Sequence, residues 1–232
     1  AGEDNRNVAR MALLLAGLPW SVGGETVNRL CSSGMSTMIH ANRAIKAGDG
    51  DVFIAGGVEH MTRGPWVISK VSKPFGRDAQ MHDSSFGWRF VNKKMHELYG
   101  TDGMGVTAEN LSEKYNVTRQ QQDEFALQSQ QRAVAAIEAG YFKEQIAPYE
   151  LKTRKGVTVF DTDEHPRAQT SLDGLSNLRA VFKEGGTVTA GNASGINDGA
   201  AMLVLATEAQ VKQQNAKPMA RIVSSGRCGV PT

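Results

Sequence analysis

Residues 27–36 read VNRLCSSGMS and place Cys31, one of two cysteines in 232 residues, between an extended segment and a helix. Upstream, ETVNRL (25–30) has the composition of a strand. Downstream, apolar side chains recur at the three- and four-residue spacing of a helix, and Gly48 is a natural stop; they are Met35, Met38, Ile39 and Ile45. The sequence therefore predicts a strand that turns sharply into a helix over 32–47, with Cys31 at the junction.

The predicted position of Cys31 suits a reactive thiol. Unpaired backbone N–H groups and the helix dipole concentrate positive potential at a helix start, and such potential favours the thiolate. Ser32, Ser33 and Gly34 are small, so a substrate could approach the sulfur closely. Position alone leaves an alternative of equal weight, in which Cys31 is a small buried residue that is inert in a core.

Composition argues against several classes of protein. A hydrophobic fraction of 40% is enough for a full core, as one large or two modest domains. With 22% charged residues and a formal net charge of +2, the chain is neither disordered nor a nucleic-acid binder. No apolar run reaches the length of a bilayer span, and no signal-peptide pattern is visible. We therefore expect no nucleic-acid partner and no membrane.

The cysteines and histidines give no pattern of a metal site. Cys31 and Cys228 lie far apart, and the five histidines show no HxxxH or HExxH spacing. We expect no metal. The scarcity of cysteine suits a reducing compartment and predicts a cytoplasmic location. An organelle stays open, because the chain begins directly in helix-like sequence without methionine and its true amino terminus is expected to lie upstream.

The order of predicted elements indicates an α/β fold with an insert. Helix-like NRNVARMALLLAG (5–17) precedes the Cys31 segment, and DVFIAGG (51–57) follows as a short buried strand, so that helices and strands alternate. Residues 67–186 form a mostly helical insert, with helices over 106–115 and 119–139; Thr118 and Gln121 make a capping box at the start of the second. Residues 187–232 return to the sheet, with AAMLVLA (200–206) as a buried strand. The predicted domains are therefore 1–66, 67–186 and 187–232.

Two further patterns lie in the insert: a helix face of small and apolar residues, and a run of basic residues. Along 119–139, small and apolar residues share a helical face that we expect to pack inward: Phe125, Ser129, Ala133, Ala136 and Ile137. Between 70 and 94, six basic residues accompany Asp78 and Asp83. This run indicates either a solvated loop or a site for an anionic ligand.

Several long segments resemble one family. NRLCSSGM (28–35) with AIKAGDGDVFIAGGVEHMTRGPW (44–66), GMGVTAENLSEKYNVTRQQQDEFALQSQQRA (103–133), DEHPRAQTSL (163–172) and GTVTAGNASGINDGAAMLVLAT (186–207) are similar to segments of the thiolases, the acetyl-CoA acyltransferases. They occur in the family's order and cover nearly the whole chain. The resemblance implies a thiolase-like layered α-β-α domain with a CoA-binding insert. It also implies a homodimer or homotetramer that uses acyl-CoA and CoA, with CoA as co-substrate and no other cofactor.

The resemblance implies roles for particular residues. Cys31 matches the acylated nucleophile, whose thiolate attacks a 3-ketoacyl-CoA and whose backbone N–H contributes to the oxyanion hole. Arg167 matches the arginine near the adenine and phosphates of CoA. Residues along the pantetheine tunnel match Met104, Val181, Phe182, Ala190 and Ser194, with a looser match at Met95. The residues alone also allow a solvated Arg167 and a tight turn at GNASG (191–195).

The chain also departs from the family. The glycine-histidine-proline motif, the cysteine-x-glycine motif of the second catalytic cysteine and the asparagine-glutamate-alanine-phenylalanine segment do not occur in it, and RCGV (227–230) is misplaced for the second cysteine. The chain therefore looks like an internal piece of a thiolase, and Cys228 an ordinary residue. Gly103 stands where biosynthetic members have a histidine, which favours a degradative or aromatic-catabolic type resembling the 3-oxoadipyl-CoA thiolases.

Two alternatives to a complete thiolase follow. A decarboxylating or carrier-protein-dependent condensing enzyme shares the nucleophilic cysteine after a strand, but it is not expected to carry the insert over 67–186. A non-catalytic fragment that binds CoA or forms oligomers would retain the fold without the chemistry, and it is favoured by the missing motifs.

Overall fold

The computed structural model describes residues 5–230, which form two compact units. The described residues up to Phe90 together with those from Ile196 onwards make the first unit, and Val91–Gly195 make the second. The boundaries predicted at 66/67 and 186/187 concern the domains of the family rather than these units, and they stay predictions. Among the described residues, no helix is both long and apolar enough to cross a bilayer.

The first unit contains three helices and four strands. In chain order they are α1 (Val8–Leu15), α2 (Ser33–Ala47), β1 (Val52–Glu59), β2 (Trp66–Ile68), β3 (Met81–Asp83), β6 (Gly199–Ala206) and α7 (Glu208–Gln213). The predicted helix over 32–47 is confirmed as α2. It ends at Gly48, whose φ of 82° lies in the left-handed region that glycine adopts without steric cost.

Helix α2 packs on a two-stranded ribbon. Strands β1 and β6 pair antiparallel from Val52 opposite Ala206 to Glu59 opposite Gly199. Ala41 of α2 meets Ala55 and Leu205 in the buried core of this unit. Near the start of α2, the Thr37 hydroxyl donates to the carbonyl of Gly56 at 3.1 Å. This bond and the core contacts fix the beginning of α2, and hence the Cys31 turn, against β1.

The opposite face of the ribbon is exposed, which corrects the prediction that 51–57 and 200–206 are buried strands. Successive strand residues point to opposite faces, and α2 covers one face. Ile54 and its partner Val204 lie on the other, where Val204 is 71% exposed. Within the described part of the chain, nothing covers this apolar face.

The prediction that ETVNRL (25–30) forms a strand was wrong. These residues are not part of any strand; instead, the Thr26 hydroxyl bonds Asn7, the cap of α1, at 3.1 Å. A strand exists only where a neighbouring strand completes its backbone hydrogen bonds, and the described residues offer 25–30 no such neighbour. Composition alone could not reveal this.

The second unit contains four helices and a hairpin. They are α3 (Lys93–Tyr99), α4 (Met104–Tyr115), α5 (Arg119–Glu138), β4 (Tyr149–Thr153), β5 (Gly156–Phe160) and α6 (Leu172–Ser176). The predicted capping box of α5 is confirmed: Thr118 accepts from the backbone N–H of Gln121, and Gln121 accepts from that of Thr118. Helix α4 begins at Met104, two residues before the predicted start at 106.

Candidate active site

Cys31 lies exposed in a tight turn immediately before α2. Ser32 is the cap of the helix, so the cysteine directly precedes the free N–H groups of the first turn. The residue before it, Leu30, has a φ of 49°, in the left-handed region that residues with a side chain rarely adopt. The thiol of Cys31 therefore lies at a helix start, as predicted. The alternative prediction, that Cys31 is buried in a core, is wrong.

The Ser33 hydroxyl closes this turn. It accepts the backbone N–H of Arg29 at 2.8 Å and donates to the carbonyl of Leu30 at 2.6 Å. The N–H of Leu30 donates to the side chain of Asn28 at 2.9 Å. The backbone N–H of Ser32 completes the turn with a 3.1 Å bond to the carbonyl of Arg29. These bonds hold the backbone on both sides of Cys31 and leave its sulfur accessible.

Four of the predicted pantetheine residues are brought together in the second unit. The N–H of Val181 donates to the carbonyl of Val188 at 3.1 Å, which places 181–182 beside the segment that leads to Ala190. The ring of Phe182 lies directly on Gly105, the residue after Met104. Met104 is 83% exposed, and Val181, Phe182 and Ala190 are exposed as well. This arrangement offers an accessible, partly apolar surface to a long, thin ligand.

The loop that carries Arg167 lies beside Ser194. The ring of His165 packs on Gly195 so closely that a Cβ at that glycine would overlap it. The backbone N–H of Arg167 donates to the side chain of Gln130 on α5 at 2.8 Å, which anchors the loop. Arg167 borders a cavity of about 180 Å³ against α5, which is below the range of about 300–1,000 Å³ typical of small-molecule sites. Its exposed side chain therefore belongs to an open surface.

Met95 lies apart from this group. It is on α3, in the first turn after the cap Asn92, and it is exposed. No described contact connects it with Met104, Phe182 or Ser194.

Sequence reasoning missed a buried acid that holds the segment before Ala190. Glu109 on α4 is 2% exposed and accepts the N–H of Val188 at 2.7 Å and that of Thr187 at 2.8 Å. Burial disfavours its charge, but the hydrogen bonds from Val188 and Thr187 outweigh burial, so the pKa of Glu109 is lowered.

A second buried acid holds the same segment from α5. Asp123 is 3% exposed; it accepts from Arg119 at 2.7 Å and from the side-chain amide of Asn192 at 2.9 Å. Asn192 in turn accepts the N–H of Thr189 at 2.7 Å. The predicted inward face of α5 was wrong in part, because Phe125 is 74% exposed whereas Asp123 is buried. A buried polar network fixes the loop, and hydrophobic periodicity does not register such a network.

The described residues contain no group of three or more histidine, cysteine, aspartate or glutamate side chains that could hold a metal ion.

Comparison with known proteins identifies the family. Residues 1–209 match the family described as thiolase, N-terminal domain. Over 231 residues the chain is 54% identical to the 3-oxoadipyl-CoA/3-oxo-5,6-dehydrosuberyl-CoA thiolase of Escherichia coli K12, covering 99% of this chain and 58% of that protein. It is 54% identical to the beta-ketoadipyl-CoA thiolase of Pseudomonas aeruginosa over 230 residues, covering 99% of this chain and 57% of that protein. The fold matches human mitochondrial 3-ketoacyl-CoA thiolase with a TM-score of 0.78 at 39% identity, covering 95% of this chain and 55% of the human one.

The chain therefore belongs to the thiolase family, and its fold is the layered α/β fold of that family. It spans less than 60% of the length of these relatives.

Proposed function

We propose that the protein containing this chain is an acyltransferase that cleaves 3-ketoacyl-CoA with CoA, giving acetyl-CoA and a shortened acyl-CoA. The observation that carries the proposal is the exposed thiol of Cys31, held in a strained turn at the start of α2 in a chain of the thiolase family. The same chemistry in reverse is a Claisen condensation.

The covalent step uses residues of this chain. The sulfur of Cys31 bonds to the 3-keto carbon of the substrate, and the bond between that carbon and C2 breaks. The electron pair stays on C2 of the departing acetyl-CoA, which takes up a proton. A second CoA thiol then gives up its proton and displaces Cys31 from the acyl group. The backbone N–H of Cys31 supports the developing oxyanion.

The proton transfers need an acid–base group besides Cys31. In the family, carboxy-terminal motifs supply it, and those motifs do not occur in these 232 residues. Such groups typically contribute about 10²–10⁴-fold each. We therefore assign the covalent step and CoA binding to this chain, and the proton transfers to the remainder of the protein.

CoA is assigned to the exposed surface of the second unit. Arg167 pairs with phosphate near the nucleotide end, which its planar guanidinium suits. The pantetheine arm lies along the surface made by Met104, Phe182 and Ala190, and Ser194 provides a hydroxyl beside it. We propose no cofactor besides CoA as co-substrate, a homodimer or homotetramer, and a cytoplasmic location, the last supported by the scarcity of cysteine.

A degradative reaction on a dicarboxylic substrate is the finer part of the proposal. The two relatives at 54% identity act, by their names, on 3-oxoadipyl-CoA or beta-ketoadipyl-CoA. Gly103 is consistent with that type, because it stands where the biosynthetic members carry a histidine. We therefore propose a role in aromatic catabolism rather than in general fatty-acid breakdown.

Replacement of each cysteine in turn tests the proposal in the protein at its natural length. Cys31→Ser should abolish cleavage of 3-oxoadipyl-CoA, whereas Cys228→Ser should leave it unchanged. Cleavage that survives Cys31→Ser would contradict the proposal.

A second candidate applies to the 232 residues taken alone: a catalytically incomplete form that binds CoA or associates with copies of itself. The missing acid–base motifs favour it, and the exposed apolar face of β1 and β6 is consistent with association. Purified residues 1–232 should turn over acetoacetyl-CoA far more slowly than the protein at its natural length. Equal turnover by the two would show that the acid–base groups lie within these residues.

A further inference from the structure

We propose that Ser33 is a positioning residue for Cys31: its hydroxyl holds Leu30 in the left-handed region and thereby fixes the direction of the thiol and of the adjacent N–H. This inference rests on the proposed function, in which Cys31 is the nucleophile. Ser33 takes no direct part in the chemistry, but by positioning Cys31 it influences the rate of the covalent step.

Packing among the described residues does not hold Leu30 in this conformation. A positive φ in a residue with a side chain is strained, and it persists only where its surroundings enforce it. The Leu30 side chain is 83% exposed among the described residues, so their side chains do not supply the constraint. Among these residues, the hydrogen bonds of the turn supply it.

Ser33 supplies the side-chain hydrogen bonds that span the turn. One oxygen accepts from Arg29 and donates to Leu30, at 2.8 and 2.6 Å, and therefore bridges the residues on the amino-terminal side of Cys31 to the start of α2. The bond from the N–H of Leu30 to Asn28 is local and does not cross Cys31. Two backbone bonds also cross Cys31, from the N–H of Ser32 to the carbonyl of Arg29 at 3.1 Å and from the N–H of Ser33 to the carbonyl of Leu30 at 2.9 Å. Loss of the Ser33 hydroxyl removes both side-chain bonds that cross Cys31 and leaves these two backbone bonds to hold the turn alone.

The neighbouring serine provides a matched control. Ser32 is the cap of α2, but its hydroxyl makes no capping hydrogen bond, and the residue is exposed. Ser32→Ala and Ser33→Ala therefore delete the same atom from adjacent residues of one turn. They differ in whether that atom bridges Arg29 and Leu30.

The experiment uses the protein at its natural length and compares Ser33→Ala, Ser33→Thr, Ser32→Ala and the double variant Leu30→Gly/Ser33→Ala. For Ser33→Ala we expect kcat for thiolysis to fall about 10- to 100-fold, the loss typical of a misplaced reacting group, with KM changed less than about 2-fold. Ser33→Thr keeps a hydroxyl and should recover most of kcat. Leu30→Gly should also restore kcat, because glycine adopts positive φ without the clamp.

A second readout measures the thiol without the reaction. Iodoacetamide should alkylate Cys31 more slowly in Ser33→Ala than in Ser32→Ala, with Cys228 of the same chain as the internal standard. Thermal melting should show both variants folded at the assay temperature, with Ser33→Ala the less stable because it loses two hydrogen bonds. A lower alkylation rate at Cys31 with an unchanged rate at Cys228 indicates a change in the geometry of the turn. A general loss of folding would change both rates.

Equal kcat in Ser33→Ala and Ser32→Ala would overturn the proposal, as would a Ser33→Ala defect that Leu30→Gly leaves unrepaired. If Ser33→Ala does not fold, the double variant decides: restored folding and kcat support the clamp, and a double variant that stays inactive or unfolded overturns it. Failure of the proposed function is distinguishable, because it would appear as thiolysis that survives Cys31→Ser while the alkylation rates still test the turn.

Discussion

The carboxylate of Glu109 on α4 accepts the backbone N–H of Val188 at 2.7 Å, across 79 residues of sequence. This bond connects the helix that begins with Met104 to the segment that leads to Ala190. Two residues proposed to contact pantetheine are therefore related through one buried acid. The surface proposed for CoA depends on a polar contact rather than on an apolar core.

Glu109→Ala should destabilise the protein. It leaves the buried N–H of Val188 without its acceptor, at about 1–3 kcal/mol, and also removes the acceptor of the half-buried Thr187. The control is Glu113→Ala, which removes an exposed acid one turn later whose surface ion pair with Lys183 is screened by solvent and contributes little to stability. Urea denaturation gives both free energies of unfolding. Equal losses in the two variants would show that Glu109 does not hold this segment.

The contribution of Glu109 should depend on pH. Its pKa in the folded protein lies below the ordinary value of 4.5, because the bonds from Val188 and Thr187 outweigh its burial. A lowered folded pKa means that the stabilisation is present above 4.5 and is lost as the pH falls through the folded pKa. Glu109→Gln carries no charge at any of these pH values. The stability difference between wild type and Glu109→Gln should be constant near neutral pH and shrink below 4.5; a difference that grows on acidification would contradict the assignment.

Gly105→Ala should weaken the use of CoA. A Cβ there would overlap the ring of Phe182, and overpacking of this kind typically costs about 1–3 kcal/mol or displaces the side chain. Gly103→Ala is the control, since a Cβ at Gly103 meets no atom within 4 Å. The KM for CoA should rise in Gly105→Ala and stay near wild type in Gly103→Ala. Equal KM values for CoA in Gly105→Ala and Gly103→Ala would show that Phe182 is not part of the proposed surface.

Arg167→Ala should weaken CoA binding by about 1–3 kcal/mol, the range for loss of a hydrogen bond to a charged partner. The weakening should diminish as salt rises, because an exposed contact is screened. Arg154→Ala, in the turn between β4 and β5, removes an exposed arginine elsewhere in the same unit and serves as the control. Calorimetric titration of CoA at low and high salt makes the comparison. Unchanged affinity in Arg167→Ala at low salt would make Arg167 a surface residue without a ligand.

Local signals in the sequence were enough for α2 and α5 and for their caps, whereas α3, α6 and α7 were not predicted and α4 was predicted to begin two residues late. The cap of α5 at Thr118, the stop of α2 at Gly48 and the position of Cys31 all depend on residues within one turn of each other. The strand expected at 25–30 failed because a strand depends on a partner that composition does not show. The family resemblance supplied the candidate residues for CoA, which local patterns alone did not separate from ordinary loops.

Two parts of the candidate site were beyond the sequence for a physical reason. Glu109 and Asp123 are buried acids, and hydrophobic periodicity assigns acids to the exposed face. Ser32 and Ser33 are adjacent residues of the same type, so the sequence does not distinguish their roles. Only the three-dimensional turn shows that the hydroxyl of Ser33 bridges Arg29 and Leu30, whereas that of Ser32 makes no capping hydrogen bond.

The most direct test of the central claim is the mass of the protein caught during the reaction. The protein at its natural length is mixed with 3-oxoadipyl-CoA in the absence of free CoA, quenched in acid and digested for mass spectrometry. The account predicts the shortened acyl group on the peptide that carries Cys31 and none on the peptide that carries Cys228. An acyl group on Cys228, or cleavage of the substrate with no acyl group on Cys31, would contradict it.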